Sequence, residues 1–315
     1  MSIKDKLNFY GKRREPSFFV IDFELKNYDI IPLKDIDQDI LFSIDKKNIE
    51  IKDKKKAYSF KPIAFQKYKK AFDKLQLHIK KGNSYLTNLT CPSNINIDYS
   101  LKELYHYTDA KFKLYFKDQF ICFSPERFIE IKDNKIYTYP MKGTIDAKIP
   151  NAQDKILNNQ KEMAEHVMVV DLLRNDLSMV SKKVRVDKFR YIEKIKAGER
   201  ELLQVSSKIH GELEESWQDR LGDIITTLLP AGSITGTPKK RTTQIIKEIE
   251  NYNRGFFSGI FGVFDGNSLD SSVMIRFIER NGDQLIYKSG GGITIDSNIK
   301  EEYKEMCEKV YVPFF

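Results

Sequence analysis

The run Pro140-Met141-Lys142-Gly143-Thr144 puts one lysine where it could do chemistry. It follows a strand-like stretch, Lys135-Ile136-Tyr137-Thr138-Tyr139, and Pro140 with Gly143 predicts a turn that fixes Lys142 at the strand end. A fixed amine whose charge is suppressed by neighbours becomes a nucleophile or a base. The competing reading is a solvated turn lysine in a lysine-rich chain. Upstream, Ser124-Pro125-Glu126-Arg127 offers a carboxylate. If Asp133-Asn134 turns a hairpin, Glu126 and Lys142 lie near matching ends of two paired strands and face one pocket as acid/base and nucleophile. The alternative there is a surface ion pair.

Two acidic pairs add to this. Glu162 and Glu165 stand three apart and share one helix face; Glu302 and Glu305 repeat the spacing near the end of the chain. Converging, they would make an all-oxygen site for a hard cation, and Mg²⁺ fits because it keeps waters and takes only one or two protein carboxylates. Apart, they are solvated helix faces. Ser289-Gly290-Gly291-Gly292-Ile293 predicts an anion cradle built from successive amides. Arg276 lies in an apolar run (Val273, Met274, Ile275, Phe277, Ile278), so a mid-strand arginine is expected to need a partner such as a bidentate carboxylate. The glycines of Pro230-Ala231-Gly232-Ser233-Ile234-Thr235-Gly236-Thr237-Pro238-Lys239 are not a Walker A loop, for no Gly-Lys-Ser/Thr is present and Pro238 lacks an amide donor. No G-x-G-x-x-G follows a strand, which argues against a dinucleotide enzyme. These groups together point to a small, multiply charged carboxylate bound with a divalent cation.

The elements that must position them read as follows. Phe65, Tyr68, Phe72, Leu75 and Ile79 recur at helical spacing over 62–81, with Gly82 as the stop signal. Strands are expected over 111–139. Helices are expected over 154–173, with Ala164, Met168 and Leu172 on one face, and over 219–229. Another begins with Thr237 as N-cap and Pro238 at the first position. Strands over 257–264, 271–279 and 284–289 are separated by Asp265-Gly266-Asn267 and Asn281-Gly282-Asp283, and a last helix starts near Asn298. Residues 45–56, rich in lysine, predict a loop. Blocks of strands with helices between them argue for an α+β fold. No linker or repeat divides the chain: 1–60 is expected to be a short strand and loop region of the same unit as a catalytic domain over 61–315.

Composition excludes other classes. The chain has 315 residues, a net charge of +8 and a pI of about 9.0, but its cations are spread among 45 acidic residues. Without a dense basic tract, nucleic acid is not an expected partner, although the positive field can steer small anions. Cys91, Cys122 and Cys307 lack metal-type spacing and suit reduced thiols in the cytoplasm. Phe18-Phe19-Val20-Ile21 is too short for a signal segment, and no apolar run approaches the roughly 20 residues of a membrane span. A soluble protein with no membrane partner is expected.

Taken in order, SPERF, PMKGT, AEHVMVVDLLRND, PAGSITGTPK, FSGIFGVF, IRF and SGGGI with DS and EEYKE resemble the chorismate-utilising enzymes, from about Ala71 to the C-terminus. The resemblance implies a single α+β unit of two large, mostly antiparallel sheets with helices packed outside. It also implies that Lys142 is the discriminating residue. Anthranilate synthase large subunits usually carry alanine there, whereas aminodeoxychorismate synthase component I, a transaminase-class enzyme, usually has lysine. In the latter the lysine is implied to attack C2 of chorismate with loss of the 4-hydroxyl, after which ammonia adds at C4. The same resemblance makes Glu126 the general acid/base, Glu165 and Glu305 direct Mg²⁺ ligands, and Glu302 a ligand through water. Arg276 and the amides of Gly290, Gly291 and Gly292 would hold substrate carboxylates; Thr235, Lys239 and Thr144 would line the substrate pocket. Ammonia would come from a separate glutamine amidotransferase subunit, since no such segment lies in the sequence.

Departures from the family pattern are few. Met141 replaces the usual isoleucine, a volume-conserving swap. The stretch Asn83-Ser84-Tyr85-Leu86-Thr87-Asn88-Leu89 lacks the lysine base of isochorismate and salicylate synthases. Near Glu201-Leu202-Leu203-Gln204-Val205 the histidine of many members is missing, and no counterpart of the tryptophan-binding motifs of feedback-regulated relatives is present. Besides an anthranilate synthase, two readings from other classes compete: a non-catalytic binder of anionic ligands, and a lyase that forms a Schiff base on Lys142.

Overall fold

The computed structural model describes residues 1–45, 57–197 and 200–314; most of the expected loop over 45–56 lies outside them. The chain opens with α1 (Ile3–Lys12), β1 (Ser17–Ile21), β2 (Tyr28–Pro32), β3 (Ile40–Ile44) and β4 (Tyr58–Lys61). Next come α2 (Phe65–Lys80), β5 (Leu86–Ile97), α3 (Leu101–Tyr107), β6 (Phe112–Phe116), β7 (Phe120–Ser124), β8 (Arg127–Lys132) and β9 (Lys135–Thr138). Strand β10 (Met141–Asp146) precedes α4 (Ala152–Leu157), α5 (Gln160–Ser178), and the long pair β11 (Lys182–Ala197) and β12 (Arg200–Glu212). The last third holds α6 (Leu221–Leu228), β13 (Gly236–Thr237), α7 (Lys239–Ile249), β14 (Ile260–Phe264), β15 (Leu269–Val273), β16 (Phe277–Asn281), β17 (Gln284–Ile293) and α8 (Ile299–Glu308).

Two large antiparallel sheets result, with helices outside, as the resemblance implied. The first runs β10-β12-β9-β8-β15-β14-β1-β2 with β11 paired to β12. The second runs β13-β5-β17-β16-β7-β6-β3 with β4 paired to β5. They stack face to face over a phenylalanine-rich layer that includes Phe18, Phe112, Phe120, Phe261 and Phe277. The outer face of the first sheet packs against α1, α5 and α6 through Leu7, Phe19, Val169, Leu173 and Ile225. The second is covered by α2, α7 and α8 through Phe72, Leu75, Ile245 and Met306. Burial on both faces is why β1, Ser-Phe-Phe-Val-Ile, reads as a continuous apolar run rather than an alternation.

Several expected boundaries shift for physical reasons. The opening residues form helix α1, capped by Ser2, where strand and loop alone were expected; Gly11 and Gly222 let it approach the start of α6, since a Cβ on either would meet a backbone oxygen at 2.0 or 2.1 Å. The helix expected over 154–173 is two, α4 and α5, with Asn159 capping the second. Thr237 is not an N-cap, because its backbone is taken up by β13, paired with Leu86, and Pro238 holds the cap position. The strand expected over 271–279 is broken at Met274–Arg276, where the chain leaves the first sheet for the second. It makes the opposite switch at Ser124–Glu126, between β7 and β8. The two crossings touch: Val273 N–H and Ser272 Oγ both donate to the Glu126 carbonyl, at 3.2 and 2.8 Å, and Phe123 N–H donates to the Arg276 carbonyl at 3.0 Å. This seam between the sheets is where the candidate site forms.

Candidate active site

Lys142 sits not in a turn but in strand β10, at a bulge. Met141 pairs with Ser206 and Thr144 with Gln204, so Lys142 and Gly143 together face Val205 on β12. Gly143 supplies the left-handed φ of +90° that the bulge requires. The bulge aims Lys142 at α5, where its Nζ lies 2.7 Å from Glu165 Oε2. Gly292 of β17 closes the other side, since a Cβ there would be 3.7 Å from Nζ. Burial acts to lower the pKa of Lys142, but Glu165, with Glu305 and Glu162 behind it, outweighs burial and holds the amine above its ordinary value.

The two acidic pairs converge. Glu165 and Glu302 are buried, and α8 brings Glu302 and Glu305 beside the glycine strand, where a Cβ on Gly291 would stand 3.5 and 3.8 Å from them. Burial, then the neighbouring carboxylates, push the Glu162 and Glu302 carboxyls up. Burial also pushes Glu305 up, yet Lys309 and Lys142 more than offset it and leave this carboxyl below its ordinary range. Among the described residues no three His, Cys, Asp or Glu side chains already form a closed metal cage. The donor chemistry nonetheless fits Mg²⁺: hard oxygens from two helices, in a site where Lys142 and Lys309 now lie against the carboxylates.

Glu126 and Arg276 occupy the two sheet crossings. Glu126 Oε1 accepts from Ser233 Oγ, and burial pushes the carboxyl up against the opposing pull of Ser233, Arg276 and Lys309. Arg276 has a left-handed φ of +53° and lies over the Tyr311 ring at 5.2 Å. Its Nε is buried without a partner, while the guanidinium hydrogen-bonds to Tyr311. The expectation of a mid-strand arginine is thus corrected to one at a bend, with its Nε donor unspent. Gly290, Gly291 and Gly292 are not a nest of exposed loop amides either; they are strand residues of β17, opposite Thr90, Leu89 and Asn88 of β5. Gly290 has no room for a Cβ, which would meet the Leu89 carbonyl oxygen at 2.4 Å, while Gly291 and Gly292 lie within contact distance of Glu302, Glu305, Lys309 and Lys142.

The remaining candidates scatter. Thr144 is exposed on β10, opposite Gln204. Thr235 is fully buried and donates to the Ala231 carbonyl at 2.7 Å, so its hydroxyl is already used. Lys239 pairs with Asp176 at 2.7 Å and donates to the Leu228 carbonyl at 2.9 Å, away from the acidic pairs. Sequence reasoning missed two groups. Lys309 Nζ bridges Glu305 Oε1 at 2.6 Å and the Gly290 carbonyl at 3.0 Å; its signal was the i, i+4 spacing from Glu305. Ser233, the partner of Glu126, left no signal, because the contact joins residues far apart in the chain.

Comparison with known proteins places the chain in a family. The chorismate binding enzyme family matches residues 33–314, starting well before the point where the motifs become legible. An uncharacterized PabA-like protein of Haemophilus influenzae is 50% identical over 313 residues, covering 98% of this chain and 95% of that one. Aminodeoxychorismate synthase component 1 of Bacillus subtilis is 34% identical over 265 residues, and the match spans 79% of this chain but only 55% of that enzyme. In fold, the menaquinone-specific isochorismate synthase of Escherichia coli superposes with a TM-score of 0.73 at 14% identity, over 96% of this chain and 79% of that one. The chain whose two sheets meet at this seam of lysine, paired carboxylates and glycine strand therefore belongs to the chorismate-binding enzyme family.

Proposed function

We propose that this chain catalyses the Mg²⁺-dependent amination of chorismate at C4, giving 4-amino-4-deoxychorismate on the route to para-aminobenzoate and folate. Ammonia would be supplied by a separate glutamine amidotransferase subunit. The observation that carries this reading is Lys142 at the bulge of β10, 2.7 Å from Glu165 and against Gly292, where a chain of the anthranilate type would lack the amine. The similarity to the aminodeoxychorismate synthase component of Bacillus subtilis supports it.

In this reading Arg276, Lys309 and the Gly290–Gly292 strand hold the substrate carboxylates, a role that the unpartnered Nε of Arg276 suits. Glu165 and Glu305 hold Mg²⁺, with Glu302 through water; the bound ion would neutralise a substrate carboxylate and draw the two acidic helices together. Lys142 must be neutral to attack C2. The groups that now keep it charged are Glu165, Glu305 and Glu162, so engaging those carboxylates elsewhere removes the cause of its raised pKa. Glu126, its carboxyl pushed up by burial, would be the group that gives a proton to the departing 4-hydroxyl.

The test is the product formed from chorismate, Mg²⁺ and an ammonium salt, with and without the amidotransferase. 4-Amino-4-deoxychorismate is expected. Anthranilate with pyruvate would instead make the chain an anthranilate synthase, and the absence of any turnover would leave a binding protein.

A further inference from the structure

Past the end of α8 the chain runs on through residues 310–314, and this strip reaches the candidate site from a side that no sequence motif marks. Val310 and Val312 are 3% and 6% exposed and pack into the core of the second sheet with Tyr115, Ile121 and Tyr287. Tyr311, between them, is only partly buried, and its ring lies against Arg276.

Backbone atoms tie the strip down on both sides of that ring. Val310 N–H donates to the Cys307 carbonyl at 3.0 Å, and Asp109 N–H donates to the Pro313 carbonyl at 2.8 Å. Tyr287, fully buried on β17, donates its hydroxyl to the Tyr311 carbonyl at 3.1 Å. None of these bonds uses the Tyr311 side chain, so holding the strip in place is not its task.

Arg276 is the group that needs holding. Phe123 N–H donates to its carbonyl at 3.0 Å and fixes the bend, but the long side chain leaves the guanidinium still to be placed. The guanidinium carbon stands 5.2 Å from the centroid of the Tyr311 ring, and the same group hydrogen-bonds to Tyr311. Nε stays buried without a partner. The phenol thus engages one part of the fork and leaves another for an incoming acceptor. A ring face attracts a guanidinium, and a fork already oriented loses less freedom when it closes on a carboxylate.

We infer that Tyr311 is a positioning residue, which presents the Arg276 guanidinium to a carboxylate of the substrate and touches no reacting atom. The inference rests on the reading in which Arg276 binds that carboxylate, and it adds the residue that orients the fork. Preorganisation of this kind belongs to affinity rather than to the chemical step.

Calorimetric titration of the full chain with chorismate, in Mg²⁺ and without ammonium, reads affinity apart from turnover. Tyr311→Ala is expected to raise the Kd for chorismate about tenfold, whereas Tyr311→Phe, which keeps the ring, should lose no more than about threefold. Tyr311→Leu fills the same space without a ring face and should bind as weakly as the alanine variant. With ammonium and saturating chorismate, kcat of each variant should stay within about threefold of wild type. In an Arg276→Ala background, adding Tyr311→Ala should change the Kd by less than about twofold, because the group it orients is gone. A wild-type Kd in Tyr311→Ala, leucine binding as well as phenylalanine, or a full further loss in the Arg276→Ala background would each overturn the proposal. Wild type that binds chorismate yet forms no 4-amino product would end the amination reading and leave this comparison intact. Wild type that binds no chorismate would end both.

Discussion

Two buried ion pairs in this molecule hold similar charges and differ in almost everything else. Arg254 and Glu250 are 1% and 2% exposed, and their donors and acceptors are nearly saturated. Arg254 binds both oxygens of Glu250, at 2.8 and 2.7 Å, and the carbonyls of Ile234 and Asn88, at 2.9 and 2.6 Å. Glu250 in turn accepts from the Thr90 amide at 2.8 Å. Lys142 and Glu165 form a single contact, the lysine is 26% exposed, and three further carboxylates stand nearby. Saturation makes the first pair a fastener: it ties the loop that carries Ser233 to strand β5. Excess of one charge, with few fixed hydrogen bonds, leaves the second free to change partners, which is what a site for a cation and an anionic substrate requires.

Removing one member of each pair should therefore separate chemistry from stability. Lys142→Ala is expected to lower kcat for 4-amination by on the order of 10³-fold or more. Its melting temperature, read on the same preparation, should not fall as that of the Arg254 variant does. Retention of full activity would remove the nucleophile from the scheme. Arg254→Leu leaves Glu250 buried and uncompensated, so a loss of about 3–5 kcal/mol of unfolding free energy is expected from urea titration. A variant of wild-type stability would mean that Arg254 is not the fastener described above.

The contrast also marks what a sequence can tell. Both acidic pairs were legible as pairs because their spacing is local, two carboxylates three apart on a helix, whereas Lys142 was expected in a turn and lies in a strand bulge. The hairpin at Asp133-Asn134 was legible for the same reason, both residues being left-handed at φ of 51° and 53°. The two sheet crossings were not. The run through Val273 and Ile278 is apolar on either side of Arg276 because both sheets are covered on both faces, so nothing in the pattern announces that the strand changes sheets. Lys239 and Thr235 misled for the opposite reason. They sit in a conspicuous glycine-bearing segment, but Asp176 and the Ala231 carbonyl, which take up their polar atoms, come from spatial neighbours that spacing does not reveal. Asn83 to Leu89 was read only for its missing lysine, and its place as the start of the strand that backs Gly292 was invisible.

His166, next to Glu165 on α5, extends the comparison to pH. Ser207 Oγ accepts from the Arg190 amide at 2.9 Å and shares a hydrogen bond of 2.7 Å with His166 Nε2. Burial, then Arg190, pushes its pKa down to about 4. An unfolded chain, with histidine near 6.5, takes up the proton first as pH falls. Stability from this group is thus complete above pH 6.5 and is lost toward pH 4, by up to about 3 kcal/mol. Urea midpoints at pH 7 and 4.5, compared between wild type and His166→Gln, isolate it from the carboxylates that titrate in the same range. The variant should show the shallower fall, and parallel curves would reject a buried neutral ring.

The smallest expected effect is the sharpest probe of the acidic pairs. Glu302 is buried, accepts from Ser297 Oγ at 2.8 Å, and is pushed up by burial and by Glu305 and Glu165. If it acts on Mg²⁺ through water, Glu302→Gln removes charge but keeps the hydrogen-bond acceptor toward Ser297. The Mg²⁺ concentration for half-maximal rate should then rise about tenfold, within the 10–100-fold range of outer-sphere changes, with kcat at saturating Mg²⁺ nearly restored. Glu165→Gln, at a direct ligand, should not be rescued by added metal to the same extent. Equal rescue of the two variants would mean that the pairs are interchangeable neighbours of Lys142, and that its contact with Glu165 reports proximity alone.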